Sequence, residues 1–448
     1  MSKGKKIIIT AFIVQVVAFF AFWFVSRTQN LDLAVLTGDS SSYRTLAENL
    51  LQNRVFSSSL IAPFSPESFR TPGYPLLLAV LFFFLRNWIV VLFAQGLLVA
   101  FLPLLVYLVG KRLNEKAAFL ASLIFIFEPT RIFLSNTLLS DILFSLLLIA
   151  SLFFFLRFFD EFKTKDILIS GLLLGFAVLV RAVAVFLPVI FLAYLFGQAR
   201  NSKIIWKSSA VFLLGFLIFV FPWSLRNKLI FNSWQLSSVG SYNLAYYNAT
   251  QFQHYKTGEP LEKLVAEFNK FQGGETVETP SLAKVSLYND FSRSLIGSDP
   301  LGYFKFHLLK TLPFFVTDGL RDIARSFNLL RDEPPNLSSL IAKGRWQDLK
   351  TFTREGGLAF LLFFLGFVFW VLVSVLAAVG AIREFFRKSE SRGLIMFFAV
   401  LILYFALLTG PVSNARYRLP ASVFMLIFAC LFLVRNFERK ILGRPNGG

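Results

Sequence analysis

The chain has 448 residues, of which 56% are hydrophobic and only 16% charged; 57 are Phe, and the formal net charge is +19. Soluble domains carry about 25% charged residues, so this apolar surplus excludes a soluble protein and points to an integral membrane protein. The basic excess sits in short segments between apolar runs, where it reports topology rather than nucleic-acid binding.

The chain opens with "MSKGKK" and an uncharged run, 7–26. No small-residue cleavage site follows, so this reads as a retained first helix rather than a removed signal peptide. Residues 27–72 form a large first loop containing the helix-like "SSSYRTLAENLLQ". The stretch 73–86, "GYPLLLAVLFFFLR", is short for the hydrocarbon core and is expected to lie at the interface or re-enter. Spans are predicted at 87–110, 137–158, 205–222, 358–382, 394–411 and 418–435. Shorter runs at 117–129, 167–180 and 183–198 bring the total to about ten helices. The last two flank Arg181 and read as short helices meeting near the outer surface, leaving a cavity there. Cys430, the single cysteine, lies in an apolar run, which excludes an intrachain disulfide.

The expected architecture is an all-α polytopic bundle in three parts. Residues 1–222 form an N-terminal transmembrane module. Residues 223–357 form an extracytoplasmic segment of about 130 residues. Residues 358–448 supply the C-terminal transmembrane helices. Within the middle part "FQGGETVETPS" reads as a loop and "PLGYFKFHLLKTLPFFV" as an amphipathic interfacial segment. With both termini cytoplasmic, the inner segments are "MSKGKK", "KRLNEK", "DEFKTKD", "QARNSK", "REFFRKSESR" and "RNFERK". Nearly all are rich in Lys and Arg, as the positive-inside rule requires.

That orientation places ionisable residues at the outer ends of the helices. Asp39 follows the first helix in "GDSSSYRTLA", and Arg70 precedes "TPGYP". Glu128 lies in "FEPTR", Asp141 opens "SDILF", and Arg181 separates two short runs. Arg226 lies in "FPWSLRN", and Arg416 and Arg418 in "NARYRLP". Short outer loops disfavour arginine, and ionisable residues at membrane depth mark function. Arginine grips phosphate through a permanently charged fork, so converging arginines suit a lipid phosphate, with carboxylates nearby as base or metal ligand.

Each residue also has a plainer reading. Asp39 suits a helix cap, and Tyr43, on the same helical face, suits packing as well as substrate contact. Arg70 suits pairing with lipid headgroups, and Glu128 and Asp141 suit structural ion pairs with arginine. His254 and His307 show no metal-ligand spacing. "NAT" at Asn248 is an N-glycosylation sequon. There is no nucleotide-binding fingerprint, which argues against a nucleotide-driven pump.

The ordered series "GDSSSYRTLAENL", "FRTPGYPLLLAVLF", "LSDILFSLLL", "GLLLGFAVLVRAVAVFLP", "FPWSLRN" and "RYRLP" resembles the GT-C class of membrane glycosyltransferases. The likeness is to the branch with protein O-mannosyltransferases and lipid A aminoarabinose transferases. It covers residues 1–240 and, more loosely, the last helices. It implies a bundle with a large first outer loop, and a polyprenyl-phosphate-linked sugar as donor. It makes Asp39 the catalytic acidic residue, with Glu128 or Asp141 as further acidic positions. Arg70 and Arg181 fall at donor-phosphate positions. Arg226, Arg416 and Arg418 join them as phosphate-binding candidates, and Tyr43, Tyr74 and Tyr417 as substrate contacts. Some members use a divalent cation, for which no ligand set is assignable. Protein O-mannosyltransferases usually show an Asp-Glu pair where this chain has Asp39 and Ser40, which argues against protein O-mannosylation.

The expected function is inverting sugar transfer at the outer face of the plasma membrane, to a lipid, glycan or protein acceptor. The alternatives are a ligase or polymerase of lipid-linked glycans, and a flippase or transporter. The latter predicts mid-membrane charges and repeated broken helices, which the sequence lacks.

Overall fold

A computed structural model of the protein describes residues 1–198, 202–273, 280–329, 347, 357–387 and 391–442, and every regular element among them is helical. The N-terminal part runs α1 (Lys3–Thr28), α2 (Gly38–Gln52), α3 (Gly73–Leu85), α4 (Trp88–Val99), α5 (Leu102–Gly110), α6 (Glu115–Phe127), α7 (Pro129–Ser135), α8 (Ser140–Glu161), α9 (Thr164–Val180), α10 (Leu187–Gln198) and α11 (Ser202–Phe231). The middle part holds α12 (Val239–Asn243), α13 (Thr250–Thr257), α14 (Leu261–Phe271), α15 (Val285–Ile296), α16 (Pro300–Val316) and α17 (Leu320–Ser326). The C-terminal part holds α18 (Gly357–Phe386), α19 (Arg392–Thr409) and α20 (Ala415–Leu442).

All seven long apolar runs read from the sequence are helices long and apolar enough to cross a membrane. Of the three shorter runs, α6 reaches that length only when joined to α7 across a 60° bend. The described residues thus hold seven such helices, or eight with the bent pair. The cause of the bend is local: Glu128 is extended and precedes Pro129, and both features end a helix. Glu128 then caps α7, its carboxylate accepting from Arg131 N at 2.5 Å.

The other short pair is α9 and α10. Arg181 breaks the path between them with extended backbone (φ −146°, ψ 115°), followed by a 3-10 turn at Ala182–Phe186. α9 lies flush against α11 because Gly171 and Gly175 carry no side chain. A Cβ at Gly175 would stand 2.5 Å from the Phe216 carbonyl oxygen. Close approach through small residues is how helices pack when apolar burial is not a difference between lipid and protein.

Contacts gather the basic segments read as inner at one end of the bundle. Lys3 pairs with Glu115 at 3.1 Å, and Lys116 with Glu438 at 3.0 Å. Arg112 pairs with Asp160 at 2.6 Å, and Arg383 bonds Asn436 at 3.1 Å. Gln198 lies directly against Gly393. Asp39, Arg70, Asp141, Arg181 and Arg416 meet elsewhere, joined by ion pairs of their own.

α11 runs unbroken through Pro222, so helix continues past the boundary read at 222/223. Beyond it, Tyr242, Ala249, Phe268, Tyr288 and Phe291 build a small aromatic core. This unit rests on the first loop: Ser238 N donates to Ser68 O at 2.9 Å, and Leu282 N to Ser68 Oγ at 2.9 Å. The loop read at "FQGGETVETPS" falls largely on 274–279, outside the described residues, as do 330–346 and 348–356. Asn248 of the sequon is buried, donating to Asn243 O and accepting from Tyr303 OH, so the fold packs it rather than presenting it.

Candidate functional site

The site begins with the capping of α2. Thr37, not Asp39, caps this helix, its Oγ1 accepting from Ser40 N at 3.2 Å. Asp39 is thereby released from the capping role open to it in the sequence. It stays in the first turn, where the helix dipole favours an anion. Its Oδ1 accepts from Arg70 Nη2, and its Oδ2 from Arg416 Nη1 at 2.7 Å.

Arg416 is the hinge of the arrangement. Its Nε donates to Asp141 Oδ2 at 2.7 Å while Nη1 holds Asp39. Asp141 lies in the first turn of α8 and accepts on its other oxygen from Arg181 Nη1 at 2.6 Å. Three arginines and two aspartates from five separate stretches of chain thus form one continuous network. Accessibility divides the carboxylates: the Asp39 side chain is 29% exposed, that of Asp141 3%. Asp39 is the more accessible of the two.

Local structure aims each arginine. The Glu67 carboxylate accepts from Phe69 N at 2.6 Å and Arg70 N at 3.1 Å, fixing the loop that carries Arg70. Arg70 lies over the ring of Tyr43, and its Nε is buried without a partner. Arg181 projects from the α9 break, and Gly73 packs so closely there that a Cβ would stand 2.7 Å from the Leu179 carbonyl. Arg181 and Arg416 both lie over Tyr417.

Burial alone would raise the Asp39 carboxyl. Arg416 and then Arg70 outweigh burial and hold it well below the usual carboxylate range. Burial opposes charge on Arg70, but Tyr43 and Asp39 overcome it and raise its pKa.

The tyrosines divide in the same way. Tyr43 OH meets Ser140 Oγ at 3.0 Å, and Arg181 Nη1 donates to the same Ser140 Oγ at 3.3 Å. Tyr74 is fully buried behind Tyr43, edge to face with it, and donates to Gln95 Oε1 at 2.6 Å. Tyr417 is partly exposed beside the arginines.

Three predicted residues lie outside the network. Arg226 donates to Glu67 O at 2.8 Å and lies over Trp223, so it braces the loop bearing Arg70. Arg418 is buried, stacks on Trp370 at 3.6 Å, and donates to Phe314 O and Thr317 O, closing the end of α16. Glu128 caps α7 through Oε2, away from the network, and its Oε1 is buried without a hydrogen-bond partner among the described residues. His307 bonds Leu407 O and His254 bonds Glu259 O. Among the described residues no group of three or more His, Cys, Asp or Glu is placed to hold a metal ion.

Sequence reasoning missed Tyr247. Its ring packs edge to face on Tyr246, and burial, then Tyr246, Tyr417 and Asp39, push its phenol upward. It lies on a π-helical turn, Leu244–Ala249, a geometry frequent at functional sites. The tyrosine run in "SYNLAYYNAT" was the available signal.

Residues 70–225 match the family described as dolichyl-phosphate-mannose-protein mannosyltransferase. No curated protein matches the chain by sequence. Among solved structures, it is similar to the archaeal oligosaccharyltransferase AglB from Archaeoglobus fulgidus in complex with an inhibitory peptide and a dolichol-phosphate. That match has a TM-score of 0.53 and 14% identity, over 99% of this chain and 52% of the other. The apo form of the Archaeoglobus fulgidus oligosaccharyltransferase gives a TM-score of 0.51 and 15% identity, over 99% and 53%. A looser alignment, TM-score 0.39 and 13% identity over 96% and 79%, is to ArnT from Cupriavidus metallidurans bound to undecaprenyl phosphate. The chain spans about half the length of the oligosaccharyltransferase structures it matches. With a family match from residue 70 through the helices to residue 225 and a structural match over nearly the whole chain, the protein has the GT-C membrane-glycosyltransferase fold that its motif series resembles.

Proposed function

We propose that the protein transfers a sugar from a polyprenyl-phosphate-linked donor to a lipid, glycan or protein acceptor. The reaction takes place at the outer face of the plasma membrane, with both termini cytoplasmic. The observation carrying this reading is the partly exposed Asp39 carboxylate gripped by Arg70 and Arg416. Three guanidiniums against two carboxylates leave an excess positive charge for an anionic phosphate. Arg70 Nε, buried and unpartnered, is a donor ready for it.

The chemistry follows from that charge balance. The acceptor hydroxyl or amine attacks the anomeric carbon as the bond from that carbon to the phosphate oxygen breaks. The electron pair leaves with the lipid phosphate, where the arginines neutralise it. The acceptor proton passes to Asp39, or Asp39 orients the acceptor for its loss. A carboxylate held by two guanidiniums is a weak base. The donor phosphate, by drawing Arg70 or Arg416 toward itself, frees an Asp39 oxygen and restores its basicity. Asp39 is thus armed only when the donor is in place. Asp141, buried beneath, anchors Arg416 and Arg181.

The gathering of these charges at one end of the bundle favours this reading over transport. Proteoliposomes supplied with radiolabelled polyprenyl-phosphate sugar provide the test. Label should pass to an acceptor with the native chain and fail to pass with Asp39→Asn. Near-normal transfer by that variant would sink the assignment of Asp39. Lipid translocation without sugar transfer would sink the enzyme reading altogether.

A further inference from the structure

α20 carries Arg416 near its first turn and Arg435 near its last. The two are 19 residues apart, about 28 Å at 1.5 Å per residue. That is close to the roughly 30 Å of a bilayer's hydrocarbon core. The far end of α20, against α18, holds a second concentration of arginine that the transfer chemistry does not use.

A cavity of about 380 Å³ opens there, lined by Arg383, Arg387, Arg435 and Arg439 with Glu384 and Phe432. Gly380 sets its inner limit: a Cβ there would stand 2.4 Å from the Phe428 carbonyl oxygen. Among the described residues, four guanidiniums share this space with one lining carboxylate. Arg387 Nη1 donates to Glu384 Oε1 at 3.4 Å, and Arg435 Nε faces the same oxygen at 3.6 Å. Arg383 bonds the neutral amide of Asn436. Arg435 reaches Glu438 only at 4.0 Å, and Glu438 is already held by Lys116 at 3.0 Å. Arg435 Nε is buried, and its ion pair with Glu384 at 3.6 Å falls short of a hydrogen bond. The outer wall is apolar, with Ile382 57% and Phe386 76% exposed.

We propose that this pocket binds the phosphate ester of an anionic phospholipid headgroup, at the membrane face opposite Asp39. Guanidiniums gathered around a single carboxylate favour a further anion among them, and their forks match phosphate oxygens. The exposed Ile382 and Phe386 offer a surface for acyl chains, which a soluble phosphate would not use. Basic pockets between membrane helices on the cytoplasmic side recognise anionic headgroups in this way. This inference is independent of the sugar-transfer reading.

The test uses the full chain purified in a neutral detergent, with retained lipid counted by native mass spectrometry. Phosphatidylglycerol should be retained as one molecule per chain, about tenfold more tightly than phosphatidylcholine. R435Q/R439Q should lose about tenfold of that preference. K5Q/K6Q, on α1 outside the pocket, should keep it. R439Q alone removes no ion pair among the described residues, so a partial loss there supports the site even if the double variant is unstable. Inorganic phosphate is the competing probe. If it fails to displace the lipid, the source is a headgroup; if it displaces the lipid at similar concentration, the lipid assignment falls. Equal retention of the two lipids, or a loss shared by K5Q/K6Q, would overturn the proposal.

Discussion

Asp39 and Arg416 stand 377 residues apart in the chain and 2.7 Å apart in the fold. One guanidinium thereby ties the first loop to the last helix, and through Asp141 to α8. Substitutions here should separate residues that react from residues that hold.

Arg416→Lys is the first such case. An ammonium is a point charge and cannot serve two carboxylates through a planar fork. Transfer should fall by about 10²–10³-fold, the usual cost of losing one preorganised electrostatic group. Single-turnover transfer at saturating donor measures this, and a rate within about threefold of native would show that the fork is not needed.

Asp141→Asn and Asp39→Asn should fail differently. Asp141 is buried, and its loss leaves Arg181 and Arg416 facing each other without it. Breaking a buried pair by removing one partner costs about 3–5 kcal/mol, so D141N should unfold at clearly lower temperature in detergent. D39N, at the accessible edge, should lose less thermal stability than D141N and lose transfer. Equal destabilisation of the two would contradict the division of roles.

The pH dependence follows from the depressed Asp39 pKa. A carboxyl depressed in the folded state contributes stability above its unfolded pKa, lost as pH falls through the folded value. Free enzyme should therefore keep Asp39 ionised to well below the usual carboxylate range. If the donor draws an arginine away, the pKa rises in the complex. The acid limb of kcat should then lie at higher pH than that of kcat/KM, since the two report bound and free enzyme. Coincident limbs would argue against donor-triggered arming.

Gly175→Ala tests the scaffold. Its Cβ would meet the Phe216 carbonyl oxygen at 2.5 Å, in backbone that cannot swing aside. Overpacking of this kind costs about 1–3 kcal/mol, so the melting temperature should drop. An unchanged melting temperature would mean that α9 and α11 slide past each other freely.

Much of the scaffold was legible because lipid imposes a crude rule. A run of apolar residues long enough to span must be helical, and all seven such runs are. The basic segments could be sorted to one side by charge alone, and contacts such as Lys116 with Glu438 gather them at one end. What the sequence hid was partnership. Nothing local tells Arg416 from Arg418, two residues apart, yet one bridges two aspartates while the other stacks on Trp370 and closes α16. Arg226 looked equally fit for phosphate, but its partner is a carbonyl 159 residues away. Asp39 could be read as a cap because Thr37, two residues earlier, was not weighed against it. Such choices depend on which helix faces which, information spread over the whole chain rather than held in a motif.

A lipid phosphate beside Asp39 should draw on the arginines that hold it. The most direct measurement is a cryo-electron microscopy map of the protein with a polyprenyl phosphate bound. The account predicts phosphate density within hydrogen-bond reach of Arg70, Arg181 or Arg416, with at least one Asp39 oxygen freed from its guanidinium. Phosphate density at Arg226 or Arg418, with the Asp39 network left closed, would contradict it.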